Sequence, residues 1–338
     1  MSVRLSDTDK TLLLILFTLI SDSPKDLYMA IGTKRLISCF ICAMLIAVYG
    51  CGDDDAIMVD FSKTVAVDLP ARPDNGSARL RVAVAAIISP KETFIFYRQL
   101  LDYIGARLGH EIEFVQRKTY GEINELLARG QIDIAFICSG PYALGKEKYG
   151  IELLVTPQIQ NSHFYQSYLI VHKNSTFGSL EDLRGGIFAF TDPDSNSGKL
   201  VPTVWLAQMG EKPETFFRKT IYTYSHDNAI LAVAKELVDG AAVDGLIWEY
   251  FHQKNPIFTS KTRIIRKSEP YGIPPIVASR SLTPQLKALI HQELLAMHQD
   301  NEGKKILNEL LIDRFISPRD EWYDSIRKMN LVLTSQNG

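Results

Sequence analysis

The chain has 338 residues, 46% hydrophobic and 22% charged, which is ordinary globular composition. A formal charge of −2 excludes a global electrostatic drive toward nucleic acid or an anionic membrane, so any anion site is built locally. Four cysteines do not make a disulfide framework: Cys39, Cys42 and Cys51 cluster at an N-terminal apolar run and Cys138 stands alone.

In chain order, residues 1–28 hold an apolar run at 12–20 that is too short to span a bilayer, and Met29 reads as the true start after an extension. Residues 29–50 read as a signal peptide. Lys34 and Arg35 give the positive region, 36–49 the apolar core, and Gly50-Cys51 the close. That close resembles a bacterial lipoprotein signal, which implies lipidation of Cys51 and places the rest of the chain in the periplasm or at the cell surface. Cys39-x-x-Cys42 lies inside this leader, without the folded context that a redox motif needs. Residues 51–78 are polar, carry Pro70, Pro73 and Gly76, and read as a flexible tether.

From residue 79 strands and helices alternate. Residues 80–88 (LRVAVAAII) form an almost continuous apolar run, the mark of a strand covered on both faces. Helical spacing follows in Phe94, Tyr97, Leu101, Ile104 and Leu108. A strand at 111–116, a helix at 121–128 and a strand at 132–138 continue the alternation, which predicts an α/β fold with mostly parallel sheets flanked by helices. A loose repeat, 126–142 against 235–250, favours two similar lobes. Residues 165–171 lead from one lobe to the other and 267–279 return. The reading is a first lobe of 79–170 plus 272–338, a second lobe of 171–271, and C-terminal helices at 284–299, 303–311 and 319–329 packed on the first lobe. Two lobes joined by two crossings make a ligand cleft that closes by hinge motion.

Residues 191–202 (TDPDSNSGKLVP) sit between a strand at 186–190 and a helix at 199–209. Ser195, Asn196 and Ser197 lie at the helix start, where backbone N–H groups lack partners and the dipole favours negative charge. Gly198 permits close approach to the backbone. Two readings fit: a capped helix, or a site for a tetrahedral oxyanion. A second polar helix start, Ser225-His226-Asp227-Asn228, lies in the same half, and Asp244 ends another strand nearby. Asp244 reads either as a strand-end cap or as an acceptor for a protonated oxyanion or a ligand ammonium. Trp248 reads as packing, whereas Glu249 fits either packing or ligand contact.

Taken in order, ICSGPYAL, YQSYLIV, DPDSNSGKLVP and YSHDNAILAVAKELVDGAAVD resemble the phosphate/phosphite/phosphonate substrate-binding proteins of ABC importers, over roughly residues 80–330. The resemblance implies a two-lobed type II periplasmic-binding-protein fold holding an oxyanion between its lobes, ABC permease subunits as partners, no cofactor and a monomer. By the same resemblance Ser195, Asn196 and Ser197 match the family's Ser-Thr-Ser loop, with asparagine replacing threonine. His226 and Asp227 match its Ser-His-Asp segment, Asp244 its Ala-Val-Asp position, and Tyr142 and Tyr165 its cleft-wall aromatics. His226 is expected to donate to an anion oxygen, neutral or charged near a pKa of about 6.5. A sensor presenting its ligand to a membrane receptor kinase is the alternative on the same fold.

Enzymatic and metal readings find little support. His226 and Asp227 are adjacent, so that Asp does not orient that imidazole, and no Gly-x-Ser-x-Gly elbow is present. His163, His172 and His226 lack metal-ligand spacing.

Overall fold

The computed structural model describes residues 79–336. The readings on the 29–50 leader, Cys51 and the 51–78 tether lie outside the described residues. No helix among the described residues is long and apolar enough to cross a membrane.

The first sheet has six strands: β1 (Arg79–Val84), β2 (Glu111–Val115), β3 (Ile134–Phe136), β4 (Ile151–Gln158), β12 (Ile276–Ser279) and β13 (Arg314–Ile316). Their spatial order is β13-β4-β12-β3-β1-β2. The strands of the second sheet are β6 (Ser167–His172), β7 (Ile187–Phe190), β8 (Lys219–Tyr222), β9 (Gly240–Asp244) and β10 (Thr262–Lys267). Their spatial order is β10-β6-β9-β7-β8. The expectation of mostly parallel sheets is corrected here. β1 pairs in parallel with β2 and β3, and β7 with β8 and β9. The chain segments that cross between lobes re-enter in the opposite sense, so β12 and β6 pair antiparallel with both neighbours.

The crossings also pair with each other. β5 (Phe164–Tyr165) and β11 (Tyr271–Gly272) form a two-stranded antiparallel ribbon. β6 lies wholly in the second sheet, so the first crossing falls at residues 165–167, ahead of the division at 170/171 read from the sequence.

Strand β1 ends at Val84, although the apolar run continues to Ile88. Residues 85–88 remain buried. They leave the sheet and face the second lobe: the Ile87 carbonyl accepts from His226 N at 2.9 Å. Helix α1 (Pro90–Leu108) buries Leu101, Ile104 and Leu108 and ends at Gly109, whose φ of 65° is the left-handed cap that glycine adopts freely. Helix α2 (Tyr120–Ala128) starts on a full capping box, Thr119 with Glu122. Helix α3 (Ser139–Tyr149) follows β3 directly.

In the second lobe α4 (Val201–Gln208), the short α5 (Pro213–Phe216), α6 (His226–Ala234) and α7 (Gly245–Lys254) flank the sheet. After β12 come α8 (Pro284–Ala296), α9 (Asn301–Glu309) and α10 (Asp324–Gln336). The last helix does not pack on the first lobe alone. It lies against α3 and against α4, and Ile326 joins a buried cluster that includes Tyr142 of one lobe and Trp205 of the other.

Candidate functional site

The helical starts at residues 120, 139, 196, 226 and 245 follow the carboxyl ends of β2, β3, β7, β8 and β9, the place where ligands bind in open α/β sheets. Residues 191–200 carry the first polar cluster. Ser195 Oγ accepts from Gly198 N at 3.0 Å, so this hydroxyl is the cap. The chain then makes one wide turn, with Leu200 N donating to Ser195 O, before α4 begins. Such π-type turns recur at functional sites. Gly198 is required by its neighbour: a Cβ there would overlap the Thr191 side chain. Asn196 Nδ2 donates to Tyr165 OH at 3.0 Å, and Tyr165 OH is hydrogen-bonded to Ser139 Oγ at 2.7 Å. Ser167 Oγ donates to Ser197 O at 2.7 Å.

His226 opens α6, capped by Ser225. Its Nδ1 accepts from Asp244 N at 2.9 Å, so in the neutral ring the proton sits on Nε2. Burial drives the imidazole down to about 3, which keeps it neutral. The charged form allowed by the sequence reading is thereby excluded for the ligand-free protein near neutral pH. Asp244 caps α7, its Oδ1 accepting from Leu246 N at 2.8 Å and Ile247 N at 3.4 Å. Burial pushes its carboxyl up to about 7, against those two N–H groups. Cap and titrating acid are thus the same residue.

Side-chain polar atoms that are buried without a hydrogen-bond partner number seven among the described residues. Five belong to this one network: Tyr120 Oη, Thr191 Oγ1, Asn196 Oδ1, Ser197 Oγ and His226 Nε2. Each such atom costs about 1–3 kcal/mol when left unpaired, so their concentration makes this the candidate ligand site. The tautomer makes Nε2–H a donor, and the Ser197, Thr191 and Tyr120 hydroxyls are donors as well. Turning the Asn196 amide over exchanges its oxygen and nitrogen, which leaves Oδ1 to accept from Tyr165 and presents Nδ2. The fully buried ring supplies no cation, so the donors gathered here are neutral.

Other residues picked from the sequence serve different ends. Tyr142 OH donates to Asp320, part of a cluster with Lys146 and Arg327, and its ring packs edge-on against Tyr323 at 4.7 Å. Asp227 Oδ1 accepts from Ser89 N at 2.8 Å and ties the lobes together. Trp248 packs on His252 and donates to Thr262 Oγ1, while Glu249 accepts from Tyr168 OH. Burial pushes the Cys138 thiol up to about 11, and the thiol is inert.

Sequence reasoning missed Tyr120, Thr191, Asp192, Ser139 and Ser167. Thr191 and Asp192 stood inside the stretch already singled out. The Thr119-x-x-Glu122 capping box was the available signal for a helix starting at Tyr120. Asp192 Oδ2 accepts from Tyr120 N across the lobes at 3.1 Å. Burial pushes its carboxyl up to about 6, opposed by the Asp194 and Tyr120 N–H groups.

Comparison with known proteins identifies the family. The phosphate-import protein PhnD of Mycolicibacterium smegmatis is 25% identical over 225 residues, 61% of this chain and 69% of its own length. The phosphonates-binding periplasmic protein of Escherichia coli is 24% identical over 273 residues, 79% of this chain and 80% of its own. The crystal structure of PhnD1 from Prochlorococcus marinus with methylphosphonate shares the fold at a TM-score of 0.69, with 19% identity, covering 75% of this chain and 98% of that one. A binding-protein component of an ABC phosphonate transporter from Pseudomonas aeruginosa superposes at 0.72, with 23% identity, covering 75% and 86%. The family described as ABC transporter, phosphonate, periplasmic substrate-binding protein matches residues 82–323. The chain belongs to that family of type II periplasmic binding proteins.

Proposed function

We propose that the protein captures a phosphorus oxyanion between its lobes and delivers it to an ABC importer, tethered to the membrane by a lipid on Cys51. The observation that carries the capture step is the set of five unpartnered buried polar atoms, four of them with donors to offer. Ser197, Thr191 and Tyr120 hydroxyls hold anion oxygens, and His226 Nε2–H adds a donor of fixed direction. Asp244, protonated or not around neutral pH, pairs with a ligand group that carries or accepts a proton. Ionised Asp244 accepts from a protonated phosphorus oxyanion, whereas sulfate carries no proton at that pH and offers that carboxylate no donor.

The test is calorimetric titration of the purified full chain with phosphate, phosphite, methylphosphonate and sulfate. One-to-one binding of a phosphorus oxyanion, with sulfate much weaker, is the expected result. Ser197→Ala and His226→Ala each remove one buried donor and are expected to weaken that binding by about tenfold or more, with the folded state retained by circular dichroism. Normal binding by both variants refutes the site.

A further inference from the structure

Asp192 is a buried carboxyl to which the capture step assigns no part. It follows β7 and is 1% exposed. Its Oδ2 accepts from Tyr120 N of the first lobe at 3.1 Å, and its Oδ1 from Asp194 N at 2.8 Å. Thr191 beside it and Tyr120 across from it both carry hydroxyls without partners, so the carboxyl borders the donors assigned to the anion. None of the ion pairs among the described residues includes Asp192. Two acids, Asp194 and Glu122, act on it. Tyr120, Tyr222 and Cys138, which feel its charge, are all kept neutral by burial. His226 is neutral as well, and the Lys148 cation acts on Asp194.

As a structural group alone, Asp192 is a carboxylate held by two N–H groups, one of them at the start of α2, where negative charge is favoured. Against that stand burial and an arriving anion, both of which disfavour the charged form. Without ligand, burial already outweighs the two N–H groups and holds the carboxyl up at about 6. A second negative charge beside the Thr191 and Tyr120 hydroxyls adds repulsion that no cation paired with Asp192 offsets. We propose that Asp192 is the proton-linked residue of capture: it is a carboxylate while the lobes are parted, and it takes one proton from solvent as they close on the oxyanion. The inference rests on the proposed capture of a phosphorus oxyanion. The proton adds to a carboxylate oxygen and no other covalent bond changes, so one of two like charges is neutralised before both are enclosed. Parting the lobes breaks the Tyr120 bond and returns the carboxyl to water, where an aspartate ionises near pH 3.9. Above that pH each unit costs up to about tenfold in affinity, until the carboxyl of the bound form ionises as well.

The experiment is a titration of the full chain and of Asp192→Asn with phosphate, phosphite and methylphosphonate at unit steps from pH 5 to 8. Asparagine keeps an acceptor for Tyr120 N and carries no charge. Its lost second acceptor shifts affinity equally at every pH, and the titrations of ligand and Asp244 are common to both proteins. The ratio of the two dissociation constants therefore isolates Asp192. That ratio, parent over variant, is expected to rise at least about tenfold between pH 5 and 8. A ratio that falls, or stays constant within about twofold, overturns the proposal and leaves the capture reading standing. Difference infrared spectroscopy reads the same step without altering Asp192. With whichever of the three compounds binds tightest, a protonated-carboxyl band should grow on binding at pH 7 in the parent and in Asp244→Asn. Its absence in Asp244→Asn overturns proton uptake at Asp192. Failure of all three compounds to bind the parent at every pH refutes the capture reading, and the proton linkage with it.

Discussion

At the scale of single residues the site joins two groups whose protonation is displaced in opposite senses by one cause. Burial favours the neutral form of each: it drives His226 down to about 3 and pushes Asp244 up to about 7. The two therefore contribute oppositely to stability as pH changes. Between about pH 4 and 7 the folded protein keeps a proton on Asp244 that the unfolded chain has lost, so this contribution falls as pH rises. Between about pH 3 and 6.5 the unfolded chain protonates His226 while the folded protein does not, so this one rises with pH. Asp244→Asn preserves an oxygen to cap α7 and removes the falling contribution. Thermal denaturation of ligand-free protein from pH 4 to 6.5 is expected to show a more positive slope of Tm against pH in Asp244→Asn than in the parent. A slope unchanged or more negative excludes a raised Asp244.

Secondary elements decide which of these residues meet. Helix α3 starts against residues 194–196 of the other lobe, with Gly140 packed directly on their backbone. A Cβ there would lie 2.6 Å from Asp194 O and 3.0 Å from Asn196 N, both backbone atoms. Only glycine admits that distance. Gly140→Ala is therefore expected to obstruct closure rather than folding: Tm without ligand changes little, and affinity falls by about tenfold, within the cost of overpacking. An unchanged affinity means the lobes do not meet here in the bound state. Much of this element-level arrangement was legible in the sequence. The helix starts at Ser225 and around Ser195, the burial of β1 and the return crossing all follow from periodicity and caps. The strand Arg314–Ile316 and the ribbon of β5 with β11 were not foreseen, because three residues or fewer carry no period. The use of Tyr142 was also hidden, since its partner Asp320 lies 178 residues away. A local pattern holds no trace of such a contact. Thr191 and Tyr120 escaped because their importance lies in lacking a partner, which only the packed structure shows.

On the scale of the whole molecule, backbone-mediated polar contacts join the lobes beside the apolar cluster that they share through Tyr142, Trp205 and Ile326. His226 N to Ile87 O, Tyr120 N to Asp192 and Ser89 N to Asp227 span the cleft, each involving backbone on at least one side. Parting the lobes would break these three bonds, so they favour the arrangement in which the lobes meet. A ligand that pairs the buried donors adds to them, and the equilibrium shifts by the difference in its affinity for the two arrangements. Asp227 is the most accessible of the three acceptors to test, because it does not belong to the unpartnered set and its loss leaves the Ser225 cap intact. Asp227→Ala removes one charge-assisted bond across the cleft, at a position open enough to water that the loss is modest. The expected result is an affinity about three- to tenfold lower for the bound oxyanion. Small-angle scattering at half-saturating ligand should give a larger radius of gyration than the parent, and at full saturation the two should coincide. A variant that binds as tightly as the parent would place Asp227 outside the closing contacts. A radius that stays larger at saturation would mean that this one bond determines the closed geometry rather than its population.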